Sequence, residues 1–462
     1  MQQAISQPTY RRQSLIPFRT LFRWFEHGFT VFSLVVYSGG PFQVIMSGGI
    51  SEGQQAAVET DFAALRAIFM LTYAVFMGLL VLRWKRTLVS IIKTPALSLL
   101  IGMAVLSYVW SAFPSVTMSR SIALVGTCAF GLYFGTRFDL KQQLKLLAWG
   151  CGICTVLSVA FIAVLPQYGV MAGVHAGAWR GIYVHKNVLG RMMVFAALVA
   201  LLCSLQKGQF RLMHWMLFVT STVLMVMSQS MTATVNYVVL MLMFFLLRPL
   251  RWRFRARTIA LMSILLALSG GVFAAMANPE VILTSLGRDA TLTGRTSLWP
   301  EIIQKIELRP FFGYGYEGFW RGWNSDAAEI WRAVRWTPPH AHNGFLDLLL
   351  ALGIVGMVIF TIEYLTSVAK AAELFQKTNT SEYFLPILFL AFTVLFSLTE
   401  STIMGRNSTF WVIYVAIASG IRMAELRSPQ LNRGLSSSSD RLSSEADPSA
   451  IPTGRSARPN RL

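Results

Sequence analysis

The sequence predicts an all-α integral membrane protein of about twelve transmembrane helices, and three observations carry that prediction. Of its 462 residues, 54% are hydrophobic and only 13% charged, against about 25% charged in a typical soluble chain; the mean hydropathy is +0.54. Apolar runs long enough to cross a hydrocarbon core, roughly 17 to 25 residues each, recur along the chain. Lysine and arginine crowd alternate connections between those runs, as they do in cytoplasmic loops.

Residues 1–27 form a basic N-terminus with Arg11, Arg12, Arg19 and Arg23. It lacks the short apolar core and small-residue cleavage site of a secretory signal, so the first span is expected to stay in the mature protein. The spans then fall at 28–47, 64–82, 96–112, 119–136, 146–165, 192–206, 212–228, 232–248, 259–277, 344–365, 383–399 and 409–425. Arg83, Lys85, Arg86 and Lys93 follow the second span, Arg137, Lys141 and Lys145 the fourth, and Lys207 and Arg211 the sixth. Arg248, Arg251, Arg253, Arg255 and Arg257 follow the eighth, Lys370 and Lys377 the tenth, and all of these connections are read as cytoplasmic. Four connections on the opposite side carry only Arg120 and Arg406. An even number of spans leaves both termini inside, and residues 426–462, arginine-bearing, poor in apolar residues and with Ser436 to Ser439 in a row, read as a disordered cytoplasmic tail. The polytopic membrane domain is thus 28–425. Topology and attraction to anionic lipid account for much of the net charge of +19, and no nucleic-acid partner is implied.

Two outward connections break the charge rule. Residues 166–191 hold Arg180, Lys186 and Arg191; residues 277–343 hold Arg288, Arg295, Lys305, Arg309, Arg321, Arg332 and Arg335. Long loops translocate regardless of charge, so a solvated surface is one reading. The other is that these arginines meet a phosphate or polyanion, which the guanidinium fork suits. Histidines gather there too: His175, His185, His340 and His342, with only His27 and His214 inside. The tryptophan- and phenylalanine-rich 277–343 loop, helix-like from Thr296 to Glu307, is expected to fold as an external cap.

Pro339-His340-Ala341-His342-Asn343 sets imidazoles where the tenth span begins, with Gly353 and Gly356 following. Polar chemistry at the edge of a span is a functional clue, although a helix-capping histidine beside two packing glycines fits the same residues. If the helix reached back to His342, Gly353 would lie about three turns below it on the same face. Asp347, about one turn below His342, either orients that ring or makes a structural ion pair. Arg66, Glu363 and Glu400 are costly in or beside spans unless paired or facing a cavity. Cys151 and Cys154 form a C-x-x-C inside an apolar helix beside no sheet pattern, which reads as packing rather than redox chemistry; Cys128 and Cys203 imply no disulfide.

Three blocks together resemble the O-antigen ligase and polymerase superfamily. They are His342-Asn343 with Gly353 and Gly356; Arg180-Gly181 leading to His185-Lys186-Asn187; and Gly294-Arg295 leading to Pro310-Phe311-Phe312-Gly313-Tyr314-Gly315. With Trp110-Ser111-Ala112-Phe113-Pro114 the order of blocks looks most like the superfamily's exopolysaccharide repeat-unit polymerases, the ExoQ type. Ligases of this Wzy-related group often carry an arginine where Ser228-Gln229-Ser230-Met231-Thr232 has Met231.

The resemblance implies a fold like the GT-C glycosyltransferases, with a large periplasmic loop between spans nine and ten, in a bacterial inner membrane. It implies glycan transfer from undecaprenyl diphosphate to a sugar hydroxyl, without metal or other cofactor, alongside a flippase and a chain-length regulator. An imidazole is the side chain best poised as base at neutral pH, which makes His342 the expected catalytic residue. Arg180 and Arg295 are expected on the diphosphate, with Lys186 and Arg288 as further cations; His185, Asn187, His340 and Asn343 are expected to bind the glycan or diphosphate. Ligation of a finished glycan to another acceptor is the alternative within the family. A lipid-linked oligosaccharide transporter is the alternative outside it, but such proteins show repeated halves with broken helices near the midplane, and no such repeat is legible.

Overall fold

The computed structural model describes residues 18–49, 63–250, 270, 295–377 and 380–424. Among them every regular element is helical. Helix α1 (Phe18–Tyr37) starts well before the expected first run and ends at Gly39-Gly40-Pro41, where proline cannot continue a helix. The apolar residues beyond it form a separate short helix, α2 (Phe42–Met46). After α3 (Ala63–Leu82) comes an element the span reading placed in a connection: α4 (Trp84–Lys93), set at 94° to α5 (Pro95–Leu106). α4 exposes Leu88, Ile91 and Ile92 beside Lys85 and Arg86, the composition of a helix lying in the membrane interface.

α6 (Pro114–Arg137) begins with proline in its first turn, where the missing N–H costs nothing. α7 (Leu140–Val164) begins at a capping box of Asp139 and Gln142. The chain continues through α8 (Pro166–Gly169), α9 (Lys186–Ser204), α10 (Arg211–Met227) and α11 (Met231–Leu250). It then passes through α12 (Arg295–Leu308), α13 (Ala327–Val334), α14 (Gly344–Lys377), α15 (Phe384–Ser397) and α16 (Thr409–Ala424). Among the described residues five helices, α3, α6, α7, α9 and α14, are long and apolar enough to cross a membrane, and the bent α4–α5 pair makes a sixth if it counts as one span. Shorter apolar helices α10, α11, α15 and α16 pack with them. The chain is therefore a multi-pass membrane protein. Apart from residue 270, the expected ninth span at 259–277, the loop through residue 294 with Arg288, and the tail 426–462 lie outside the described residues, as does the side chain of Arg295.

α9 is the most enclosed span, packed by α7, α10, α11 and α15. Buried charges tie the bundle together. Glu26 on α1 takes Arg83 at 2.7 Å, Arg137 at 2.8 Å and the Tyr133 hydroxyl at 2.7 Å, so the ends of α3 and α6 meet on one carboxylate. Arg422 on α16 pairs with Glu363 on α14 at 3.0 Å, both buried. Removing one partner of such a pair strands the other charge.

α14 would be about 51 Å long at 1.5 Å per residue, longer than the roughly 30 Å hydrocarbon core, but it is broken at Gly353 (φ 63°, ψ −165°). That conformation is essentially restricted to glycine. The break frees backbone groups, and the turn 310–315 takes them: Tyr314 N–H donates to the Leu350 carbonyl at 2.7 Å, and Ile354 N–H to the Pro310 carbonyl at 2.8 Å. A Cβ at Gly353 would stand 2.3 Å from the Phe311 carbonyl. Gly353 does act as a packing glycine, with a loop as the close neighbour. The Trp110–Pro114 motif meets the same turn, since Trp110 Nε1 donates to the Phe312 carbonyl at 3.1 Å.

Candidate active site

Three connections converge at one end of the bundle: the loop before α9, the end of the long loop before α14, and the loop between α15 and α16. His185 caps α9, its Nδ1 accepting the Asn187 N–H at 3.2 Å. Asn343 caps α14, its Oδ1 accepting from Phe345 N at 3.0 Å and Leu346 N at 3.2 Å. Both residues expected to bind substrate thus also start helices, which fixes their neighbours in place.

His342 stands just ahead of that cap in left-handed backbone conformation (φ 50°), so α14 does not reach back to it and no continuous helical face joins His342 to Gly353. Sparsely populated backbone of this kind persists where the surroundings over-determine it. Here Asp347 accepts the Ala341 N–H at 3.1 Å and Trp320 Nε1 at 2.9 Å, and Ser401 hydrogen-bonds the same carboxylate. Trp299 Nε1 holds the Ala341 carbonyl at 3.0 Å. These contacts match neither role expected of Asp347, to orient the ring or to make an ion pair: they fix the peptide before His342.

The rings of His340 and His342 lie 4.1 Å apart between centroids, tilted by 56°, with Trp336 at 5.8 Å from His342. Glu400 completes the cluster: one ligand atom from each of His340, His342 and Glu400 lies within 4.8 Å of the others. Glu400 also accepts from Asn187 Nδ2 at 3.3 Å. Four residues named from the sequence, His185, Asn187, His340 and His342, are therefore gathered around a carboxylate whose role the sequence reading missed. The sequence did carry a signal, a glutamate beside an apolar segment that needs a partner.

His340, His342 and Glu400 are the group among the described residues with the chemistry of a metal-ligand set. His340 Nδ1, however, accepts the His342 N–H at 3.1 Å, which in a neutral ring places the proton on Nε2 and makes that nitrogen a donor. Metal ligation through Nε2 would require that hydrogen bond to break. Proton handling needs no such change.

Burial pushes the His185 pKa down to about 4, against a smaller upward pull from Glu400, and His175, 5.7 Å away ring to ring, adds to the depression. His185 is neutral at pH 7. Lys186 Nζ donates to the Gln229 carbonyl at 3.4 Å.

Arg180 is placed differently from the expectation. Its Nε donates to the Tyr168 carbonyl at 2.8 Å, Nη1 to Gly49 at 2.7 Å and Nη2 to Gln167 at 3.0 Å, and the residue is 2% exposed. Burial pulls its pKa down. A guanidinium spent on three backbone carbonyls stitches the loop before α9 to the segment after α2, and its donors are not directed at a diphosphate. Elsewhere at this end, Glu317 binds Arg120 at 3.1 Å and Arg406 at 2.8 Å, joining the long loop to α6 and to the loop before α16.

Residues 216–361 match the O-antigen ligase family, Wzy_C. The chain is 24% identical over 274 residues to the exopolysaccharide production protein ExoQ of Rhizobium meliloti, covering 57% of this chain and 62% of that protein. It is 26% identical over 235 residues to a Rickettsia felis protein provisionally named a polysaccharide ligase, covering 49% of this chain and 54% of the other. The alignments thus span less than two thirds of each relative's length. The resemblance to the O-antigen ligase and polymerase superfamily, ExoQ type, is borne out, and the matched segment contains His340, His342 and Gly353 but ends before Glu400.

Proposed function

We propose that the chain is a membrane glycosyltransferase that polymerises lipid-linked repeat units into exopolysaccharide. It moves glycan from undecaprenyl diphosphate to a sugar hydroxyl at the periplasmic face of a bacterial inner membrane. The carrying observation is the meeting of His185, Asn187, His340 and His342 at Glu400, which joins two polar loops far apart in sequence. The reading includes the twelve-span arrangement with 277–343 as an external cap, and a flippase and chain-length regulator as partners. Met231, where ligases often carry arginine, favours polymerisation over ligation.

In this reading His342 takes the proton of the acceptor hydroxyl as its oxygen attacks the anomeric carbon. The bond from that carbon to the diphosphate oxygen breaks, and its electron pair leaves with the diphosphate. Glu400 offsets the positive charge that forms on the imidazole, as a carboxylate beside a base does in other sites. His340 donates through Nε2, and neutral His185 and Asn187 are hydrogen-bonding groups for the glycan. Arg288 and Arg295 keep their proposed place on the leaving diphosphate with Lys186, while Arg180 serves the loop before α9 that leads to Lys186. No step calls for a metal ion.

The test is incubation of purified protein with lipid-linked repeat units and chelator. A ladder of multiples supports polymerisation. A single transfer to an unrelated lipid acceptor supports the ligase reading instead, and the absence of any new glycosidic bond contradicts both.

A further inference from the structure

α4 enters no step of the proposed chemistry, yet both of its corners are fastened in one attitude. At its start the Thr87 hydroxyl donates to the Leu80 carbonyl of α3 at 3.0 Å. At its end the Thr94 hydroxyl donates to the Ser90 carbonyl at 2.9 Å, and the Ser98 hydroxyl of α5 to the Thr94 carbonyl at 3.0 Å. α4 thus joins the end of the apolar helix α3 to the start of α5, which carries no charge, and stands at 94° to α5. A helix square to such an element and level with its end lies along the membrane surface. Tryptophans, which favour that boundary, mark the same level. Trp84 on α4 and Trp24 on α1 are 59% and 60% exposed, and the Glu26–Arg83 ion pair joins the turns that carry them.

The ten residues of α4 divide into three sides. Buried Ser90 and half-buried Thr87 form the side packed on the bundle, with α6 among its neighbours. Trp84, Leu88, Ile91 and Ile92 recur at helical spacing on a second side, and all four are exposed. Arg86 and Lys93, two turns apart, share the third side with Lys85, and all three are exposed. Lys85 lies over the Trp84 ring at 5.6 Å, but none of the three cations forms an ion pair among the described residues, unlike Arg83 beside them. A ten-residue helix is about 15 Å long and 10 Å across, far short of the roughly 800 Å² that each partner of a stable protein interface buries. An apolar side next to a basic one instead matches acyl chains next to acidic headgroups.

We propose that α4 is a docking site for anionic phospholipid of the surrounding bilayer. Trp84, Leu88, Ile91 and Ile92 lie among the acyl chains, and Lys85, Arg86 and Lys93 hold net-negative headgroups.

Native mass spectrometry of the full-length protein, with phosphatidylglycerol and phosphatidylcholine of the same acyl chains in competition, reads the preference. The unaltered protein is expected to retain phosphatidylglycerol. Lys85→Gln, Arg86→Gln and Lys93→Gln are each expected to cost about fivefold of that preference. Lys141→Gln, Lys145→Gln and Lys207→Gln combined remove three charges elsewhere and are expected to leave most of it. Equal losses in the two triple variants, or no preference in the unaltered protein, overturn the proposal. The apolar side is tested by a spin label at Ile92→Cys in lipid nanodiscs, the four native cysteines being buried. Oxygen is expected to relax the label, and a water-soluble nickel chelate is not. A label open to the chelate, or closed to both reagents because a second copy or another segment of the chain covers it, overturns the proposal.

Discussion

Glu400→Gln removes one charge and keeps the shape of the side chain, so it isolates what the carboxylate does for the rings around it. The expected outcome is a fall in kcat of about tenfold to a hundredfold with little change in thermal stability, because the imidazolium formed at His342 loses its counter-charge. A steady-state assay on lipid-linked repeat units checks this, and an unchanged kcat would remove Glu400 from the mechanism. His185 supplies a second test. Its folded-state pKa, about 4, lies below the ordinary 6.5, so the unfolded chain takes up a proton first as pH falls. The neutral ring's contribution is fully present above pH 6.5, is lost progressively from there to about pH 4, and changes no further below that. His185→Gln should flatten the melting temperature over that window in detergent; an unaltered slope would contradict the burial argument. At this scale the histidines were legible because imidazoles are rare and sat in loops that the charge pattern reads as outward. Glu400 was not, because its partners come from segments that only folding brings near. Arg180 misled because a basic residue in a loop looks alike in sequence whether it faces a phosphate or three carbonyls.

Helix α14 shows what sequence reasoning reaches at the scale of an element. Its apolar run and its glycines were plain, but a mid-helix glycine normally reads as a packing notch. The break at Gly353 follows from the turn 310–315, whose carbonyls and N–H groups complete the ladder. Gly353→Ala should therefore cost about 2 kcal/mol or more, from forbidden backbone and collision with the Phe311 carbonyl. A loss of less than about 0.5 kcal/mol in reversible unfolding would contradict that assignment. Arg180 gives the companion prediction. Arg180→Lys keeps the charge but cannot reach three carbonyls, so melting temperature should fall while donor KM among the folded molecules stays unchanged. A raised KM with unchanged stability would return Arg180 to the diphosphate. α4 was overlooked because its charged residues read as a loop; a helix lying along the interface carries the same charges on one side only.

For the whole molecule, hydropathy and charge asymmetry were enough to identify a multi-pass helical membrane protein, because both are imposed by the bilayer and not by tertiary packing. Span edges drifted where Gly39-Gly40-Pro41 ended one helix early and where α14 ran on past the apolar stretch. The need of Glu363 for a partner was legible, but the partners of Glu26 and Glu363 could not be read, since each pair joins helices distant in sequence. Orientation is open to direct test. Reporters active only outside the cytoplasm should be bright after residues 175 and 320 and dark after 90 and 252, following the basic connections. A bright fusion at 252 would invert the assignment of the long loop.

The central claim is that His342 and Glu400, brought together by folding, work as one proton-accepting unit. A double-mutant cycle on glycan transfer measures that coupling. His342→Ala should abolish transfer while the protein still inserts and accumulates, and adding Glu400→Gln should then cost nothing further, since the charge it would have offset is never formed. Additive losses from the two substitutions, or normal polymer yield from His342→Ala, would contradict the account.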